Sequence, residues 1–203
     1  FYAQWILGDP AKVAVIGILS FMPIAVGAVF MPVLLSKFSK KTITLIGGIV
    51  MMIGLLIIAV FPENFTMIMV GLIIRGLGIA PGAVAGFAML GDVADYGEWK
   101  TGIRIEGLTY SFFSFTRKCG QALGGSIPAF LLAASGYLPN IDQQSETVRL
   151  GIQQAMALVP AIAFGAAFML MVFYPLTDRR FSELLKELAQ RRSSRIAENF
   201  TSS

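Results

Sequence analysis

Five predominantly apolar stretches dominate the chain: Val13 to Leu35, Thr42 to Phe61, Met67 to Leu90, Gly107 to Ser135 and Leu150 to Leu176. Each reaches the roughly 20 residues that a helix needs to cross a hydrocarbon core about 30 Å thick. None shows the period-two alternation of a barrel strand, so helices are expected. With 56% hydrophobic and 14% charged residues and a mean hydropathy of +0.73, the chain is far from a soluble domain, where about 25% is charged. An all-α membrane protein with five spans follows. Residues 1–12 are read as the end of a truncated helix with its outer loop, and 177–203 as a tail.

The charges between the runs orient this bundle. Lys37, Lys40 and Lys41 lie in Ser36 to Lys41, Lys100 and Arg104 lie between the third and fourth runs, and Arg179, Arg180, Lys186, Arg191, Arg192 and Arg195 follow Leu176. The other connections carry Glu63 and then Asp142 and Glu146, with no base. Lys and Arg favour the cytoplasmic side, so the tail is expected inside a cell membrane and the N-terminus outside. This distribution accounts for the net charge of +4 as topology, not as a nucleic-acid footprint. Phe181, Leu184, Leu185 and Leu188 mark an amphipathic helix within the tail, expected on the inner membrane surface. Phe1 to Leu7 has neither an initiator Met nor a basic segment and reads as the end of a preceding helix.

Charge inside or beside the spans points to function, because it is expensive there. Arg75 interrupts the third run well below either end. It either pairs with a carboxylate on a neighbouring helix or faces a cavity and touches substrate. Gly78, Gly82 and Gly86 repeat every four residues, a pattern that admits close helix approach, and Pro81 predicts a kink or break. Asp92, Asp95, Glu98, Arg104 and Glu106 crowd the turn into the fourth run, which also holds Gly97 and Gly102. They form either a solvated loop or a set of ionic latches that open and close an inner gate. Exposed pairs worth about 0–1 kcal/mol each suit latches that must break repeatedly.

The fourth run carries the clearest site. Ser111, Ser114, Lys118, Gln121 and Gly125 fall on one stripe of a helix, while Phe112, Phe115, Cys119 and Leu123 lie largely elsewhere. Lys118 sits about 16 Å into the span, and Arg117 points about 100° away from it. A polar stripe at that depth implies a wet groove. Its donors and acceptors suit hydroxyl groups, with one ammonium to bond a sugar-like ligand or neutralise a buried carboxylate. A structural ion pair is the other reading. Histidine is absent and no set of nucleophile, base and orienting group is visible, so no enzyme, metal site or cofactor is expected.

The segment GDVADYGEWKTGIRIEGLTYSFFSFTRKCGQALGG, Gly91 to Gly125, resembles the loop and helix that mark the second half of the glycoside–pentoside–hexuronide:cation symporters. These form the melibiose-carrier-like branch of the major facilitator superfamily. Weaker agreement includes Gly136 to Asn140 and LTDRRF from Leu176. The resemblance implies a C-terminal six-helix half with its first helix mostly missing, from a twelve-helix carrier with a sugar site between two bundles. It makes Lys118 the lysine of the sugar and cation region, with Ser114 one turn before it, and places Asp92, Asp95, Glu98, Arg104 and Glu106 in an inner charged network. The coupling ion, sodium or proton, would be bound mainly by the N-terminal half. Arg75 and Arg117 lie outside the general pattern and fit a hexuronide or sulfated sugar.

The function expected is therefore cation-coupled symport of a glycoside or related sugar by alternating access, with the sugar, membrane lipid and the N-terminal half as partners. Two alternatives stay open. A lipid or lysophospholipid carrier would need a more apolar groove than Ser111, Ser114, Lys118 and Gln121 line. A membrane sensor or scaffold would act through its tail and tolerate loss of Lys118.

Overall fold

The computed structural model of the chain describes residues 2–138, 144–176 and 178–201. Asn140 and Asp142, which entered the sequence reading, lie outside them. The described residues form helices and no strand. They are α1 (Tyr2–Trp5), α2 (Lys12–Lys37), α3 (Lys40–Val60), α4 (Phe65–Thr101), α5 (Glu106–Ala134), α6 (Glu146–Met156), α7 (Leu158–Val172) and α8 (Asp178–Thr201).

Local chemistry starts and stops these helices where expected. Ser39, Asn64 and Ser145 cap α3, α4 and α6, each accepting from a backbone N–H three residues on, which satisfies one orphan donor of the first turn. Gly102 ends α4 in the left-handed region, φ 74°, with its N–H bonded to the Glu98 carbonyl at 2.8 Å. That conformation strongly favours glycine.

Four helical segments are long and apolar enough to cross a membrane: α2, α3, α4 and the α6–α7 pair, Glu146–Val172. α5 has the length, 29 residues, but its polar stripe takes it below that apolarity. Two boundaries differ from the sequence reading. α4 does not end near Leu90 but runs on to Thr101, 37 residues, about 55 Å. A core of about 30 Å is shorter than that length, so the charged part of α4 continues as helix past the apolar part, packed against α8. The run from Leu150 to Leu176 is in turn divided at Ala157. Pro160 supplies no N–H to the Met156 carbonyl, and its ring crowds that turn. α4, by contrast, passes Pro81 without interruption.

α3 and α4 pack antiparallel through paired glycines. A Cβ built on Gly47 would lie 2.7 Å from the Gly78 carbonyl oxygen, and one on Gly54 would lie 2.6 Å from that of Gly71. Reciprocally, a Cβ on Gly78 would be 2.7 Å from the Gly47 oxygen. Two glycines seven residues apart on each helix thus bring the backbones into contact. Of the expected Gly78, Gly82 and Gly86, only Gly78 takes part, since Gly86 meets nothing within 4 Å and Gly82 only the edge of Thr44. The spacing that matters is seven, because an antiparallel pair at low crossing angle returns to the same seam every two turns. On the other side of α4, Gly76 faces Pro23 of α2 and Ala80 faces Gly27.

The two ends of the bundle are built differently. At one end Tyr2, Ile6, Ile58, Ile68, Leu72, Val148, Ile152 and Ala157 form a buried apolar core joining α1, α3, α4 and α6. Its bases, Lys12 and Arg149, are engaged locally: Lys12 on the Leu7 carbonyl and over the Phe65 ring, Arg149 on Glu63 at 2.8 Å. The opposite end, rich in Lys and Arg, is held by charge.

Candidate functional site: a polar stripe and a charged end

α5 meets α4 at the Phe87–Phe113 ring pair, 5.4 Å between centroids and edge to face, and it buries no residue. Ser111, Ser114, Lys118, Gln121 and Gly125 are all exposed. At about 100° per residue the stripe they form is centred about 120° from Phe113. It therefore faces away from the rest of the chain. Arg117 lies about 40° from Phe113, on the side toward α4. Neither Arg117 nor Lys118 forms an ion pair among the described residues.

Arg75 is not brought to this stripe. Taking Phe87 and Phe113 as level, Lys118 is about 7.5 Å and Arg75 about 18 Å farther toward the apolar-core end. Its backbone N packs against Gly54 of α3, on a side of α4 about 120° from Phe87. It is half-buried, and it has no carboxylate partner among the described residues.

The five charged residues at the turn divide into two groups. Asp92, 8% exposed, accepts from Lys40 Nζ at 2.7 and 2.6 Å, tying α4 to the start of α3. Lys40 also lies over the Phe181 ring of α8, 5.2 Å from its centroid. Its neighbour Lys41 donates to the Val172 and Tyr174 carbonyls at 2.8 Å each, capping the end of α7. Adjacent lysines thus hold different helices. Read as topology signals, they are also structural ties.

Asp95, Glu98 and Glu106 meet around Arg104. Its Nη1 donates to Asp95 at 3.0 Å and Glu98 at 3.1 Å, and its Nε and Nη2 donate to Glu106 at 3.0 and 2.9 Å. Asp95 and Glu98 project from the helical extension of α4 and not from a loop, so they share one face of a rigid element.

The tail completes this cluster, which the sequence did not announce. Arg192 Nε donates to Glu98 Oε1 at 2.9 Å while its Nη2 donates to Oε2, and Asp95 is 3.7 Å away. The Arg192 guanidinium above all, together with Arg104, holds the Glu98 carboxyl below its usual range. Trp99 Nε1 donates to Glu187 at 2.8 Å, while Arg191 stacks on the Trp99 ring and donates to the Trp99 carbonyl at 2.9 Å. Leu184 and Leu188 are buried against this end of α4. Of the apolar stripe of α8, Leu184 and Leu188 are thus buried on the protein, while Leu185 is exposed. The stripe's spacing 181, 184, 188, followed by paired arginines, was the available signal.

A cavity of about 310 Å³ beside the Ala157 break is lined by Tyr2, Leu55, Ile58, Gln153 and Ala157, and is largely apolar. Among the described residues no group of three or more His, Cys, Asp or Glu side chains is placed to hold a metal ion.

A bundle of long apolar helices with one polar stripe and a charged end defines a multi-pass membrane protein. Residues 1–178 match the family described as MFS/sugar transport protein, and the chain belongs to that major facilitator superfamily family. It is 40% identical over 95% of its length to the glucuronide carrier protein homolog of Escherichia coli K12, covering 42% of that protein. It is 34% identical over 96% to a putative sulfoquinovose importer of Salmonella typhimurium LT2, covering 41%. With the isoprimeverose transporter of Lactiplantibacillus pentosus it shares 33% over 79%, covering 34%. The chain thus spans less than half the length of these relatives. These proteins are carriers, not enzymes.

Proposed function

We propose that this chain is one wall of a cation-coupled sugar symporter working by alternating access, with its basic end in the cytoplasm of a cell membrane. The observation that carries this reading is the α5 stripe. In a chain of the sugar-transport family, Ser111, Ser114, Lys118 and Gln121 face away from their own bundle, where a second wall would enclose a wet site. The coupling ion, sodium or proton, travels as co-substrate and finds its ligands mainly on that second wall.

Within the sugars, an acidic one fits best. Arg75, Arg117 and Lys118 bring three cations into helices without a carboxylate partner among the described residues. The named cargo of two relatives, a glucuronide and sulfoquinovose, carries an acidic group. Asp92, Asp95, Glu98, Arg104 and Glu106 serve as the inner gate. The pairs around Arg104 are short but open to solvent on the guanidinium side, and such pairs are worth little enough individually to break in each cycle, while the more enclosed Lys40–Asp92 pair anchors α4 beside them.

The test is uptake of labelled sugar acids into vesicles holding the full-length transporter. Uptake should require a sodium or proton gradient, and Lys118→Ala should abolish it with membrane insertion unchanged. Normal uptake by that variant would sink the site assignment.

A further inference from the structure

We infer that Arg192 of the tail is a positioning residue of the inner gate, holding Glu98 in a geometry that limits how tightly Arg104 grips it. The inference rests on the gate reading above and adds a member to it from outside the α4–α5 turn.

The geometry is a competition for lone pairs. Arg192 takes both oxygens of Glu98 through Nε and Nη2. Arg104 reaches the same group only through Nη1 on Oε2, and shares that nitrogen with Asp95. A guanidinium binds a carboxylate best through two parallel bonds, and here the tail occupies that position. If Arg192 is removed, Oε1 becomes free and Arg104 can take Glu98 as a fork. The α4–α5 latch then tightens, and the step that parts it slows.

The tail is held in place by contacts independent of Arg192. Leu184 and Leu188 are buried, Glu187 accepts from Trp99, Arg191 stacks on Trp99, and Lys40 lies over Phe181. Lys40 also carries Asp92 and so links that pair to the tail. The tail therefore touches α3 and α4 together while bonding a residue that the α4–α5 turn also uses.

The experiment measures uptake and tail docking separately in the full-length transporter. Docking is read from trypsin cleavage after Lys186 without any substrate. Arg192→Ala should lower the maximal uptake rate on the order of two- to fivefold, the equivalent of one exposed ion pair, with half-saturation unchanged. Adding Arg104→Lys, which keeps the charge but removes the fork, should restore the rate. A rate unchanged in Arg192→Ala, or a fall that Arg104→Lys does not restore, overturns the inference and leaves the transport reading intact. The transport reading fails differently, when the unaltered protein shows no gradient-driven uptake.

Discussion

Arg104 and Arg192 donate to the same carboxylate, that of Glu98, from 6 and 94 residues away in the chain. One belongs to the turn between two spanning helices and the other to the tail. Their meeting point is a helix that has already left the apolar part of the bundle, so the pairs lie in a polar setting where each is weak and reversible.

The pH dependence of this cluster has a definite sign. The Glu98 carboxyl, bonded first by Arg192 and then by Arg104, is held below its ordinary value of 4.5. A depressed carboxylate contributes stability above the unfolded value and loses it as pH falls through the folded one. The Arg192 end of α8 should stay on Glu98 from neutral pH down past 4.5 and come away only below that, while Leu184, Leu188 and the Trp99 contacts keep the rest of the helix in place. Spin labels at exposed Val93 and Ser193 report this as a distance that broadens only at the acid end. Broadening near neutrality would show that Glu98 does not hold Arg192.

Glycine substitutions in α4 should separate by position. Gly78→Ala places a methyl against the Met51 backbone N and the Gly47 oxygen, which cannot move aside as a side chain would. A loss of about 1–3 kcal/mol is expected from such overpacking, read as a lower melting temperature in detergent. Gly86→Ala meets nothing within 4 Å and should be neutral or slightly stabilising, as alanine favours helix by up to about 1 kcal/mol. Equal effects at both positions would contradict the paired-glycine seam.

The Lys40–Asp92 pair is more enclosed than the Arg104 cluster, with side-chain exposures of 28% and 12%. Asp92→Leu alone leaves the Lys40 ammonium without its acceptor and should cost about 1–3 kcal/mol. Lys40→Met with Asp92→Leu should recover most of it, because a paired apolar replacement leaves no charge stranded. Thermal unfolding of the two single variants and the double variant gives the coupling directly.

At the other end, two neighbouring kinds of contact should differ in weight. Arg149→Ala removes an ion pair whose members are 36% and 66% exposed and should cost under about 1 kcal/mol. Ile68→Ala removes a fully buried side chain of the core and should cost about 2–5 kcal/mol. Comparing their melting temperatures checks which contact holds that end together.

Much of the architecture was legible because it depends on local pattern. Apolar runs of spanning length, the Ser111 to Gln121 stripe and the grouping of Asp95, Glu98, Arg104 and Glu106 all follow from spacing along one helix or across one turn. The misreadings came where a local pattern had two possible continuations. The charged segment after Leu90 reads as loop by composition, yet continues as helix until Gly102 supplies a left-handed stop. The run after Leu150 does form one span, Glu146–Val172, but its helix is interrupted at Ala157, three residues before Pro160.

The sequence by itself determined that this protein crosses a membrane as helices, which helix offers a polar face, and which family it resembles. Those properties reside in hydrophobicity and periodicity, which a chain displays before it folds. Only the tertiary structure decided that Gly47 and Gly54 meet Gly78 and Gly71, that Lys40 takes Asp92, and that Arg192 closes on Glu98. Each joins residues far apart in the chain, and the register that unites them is set by how whole helices pack. No spacing within a single segment encodes it.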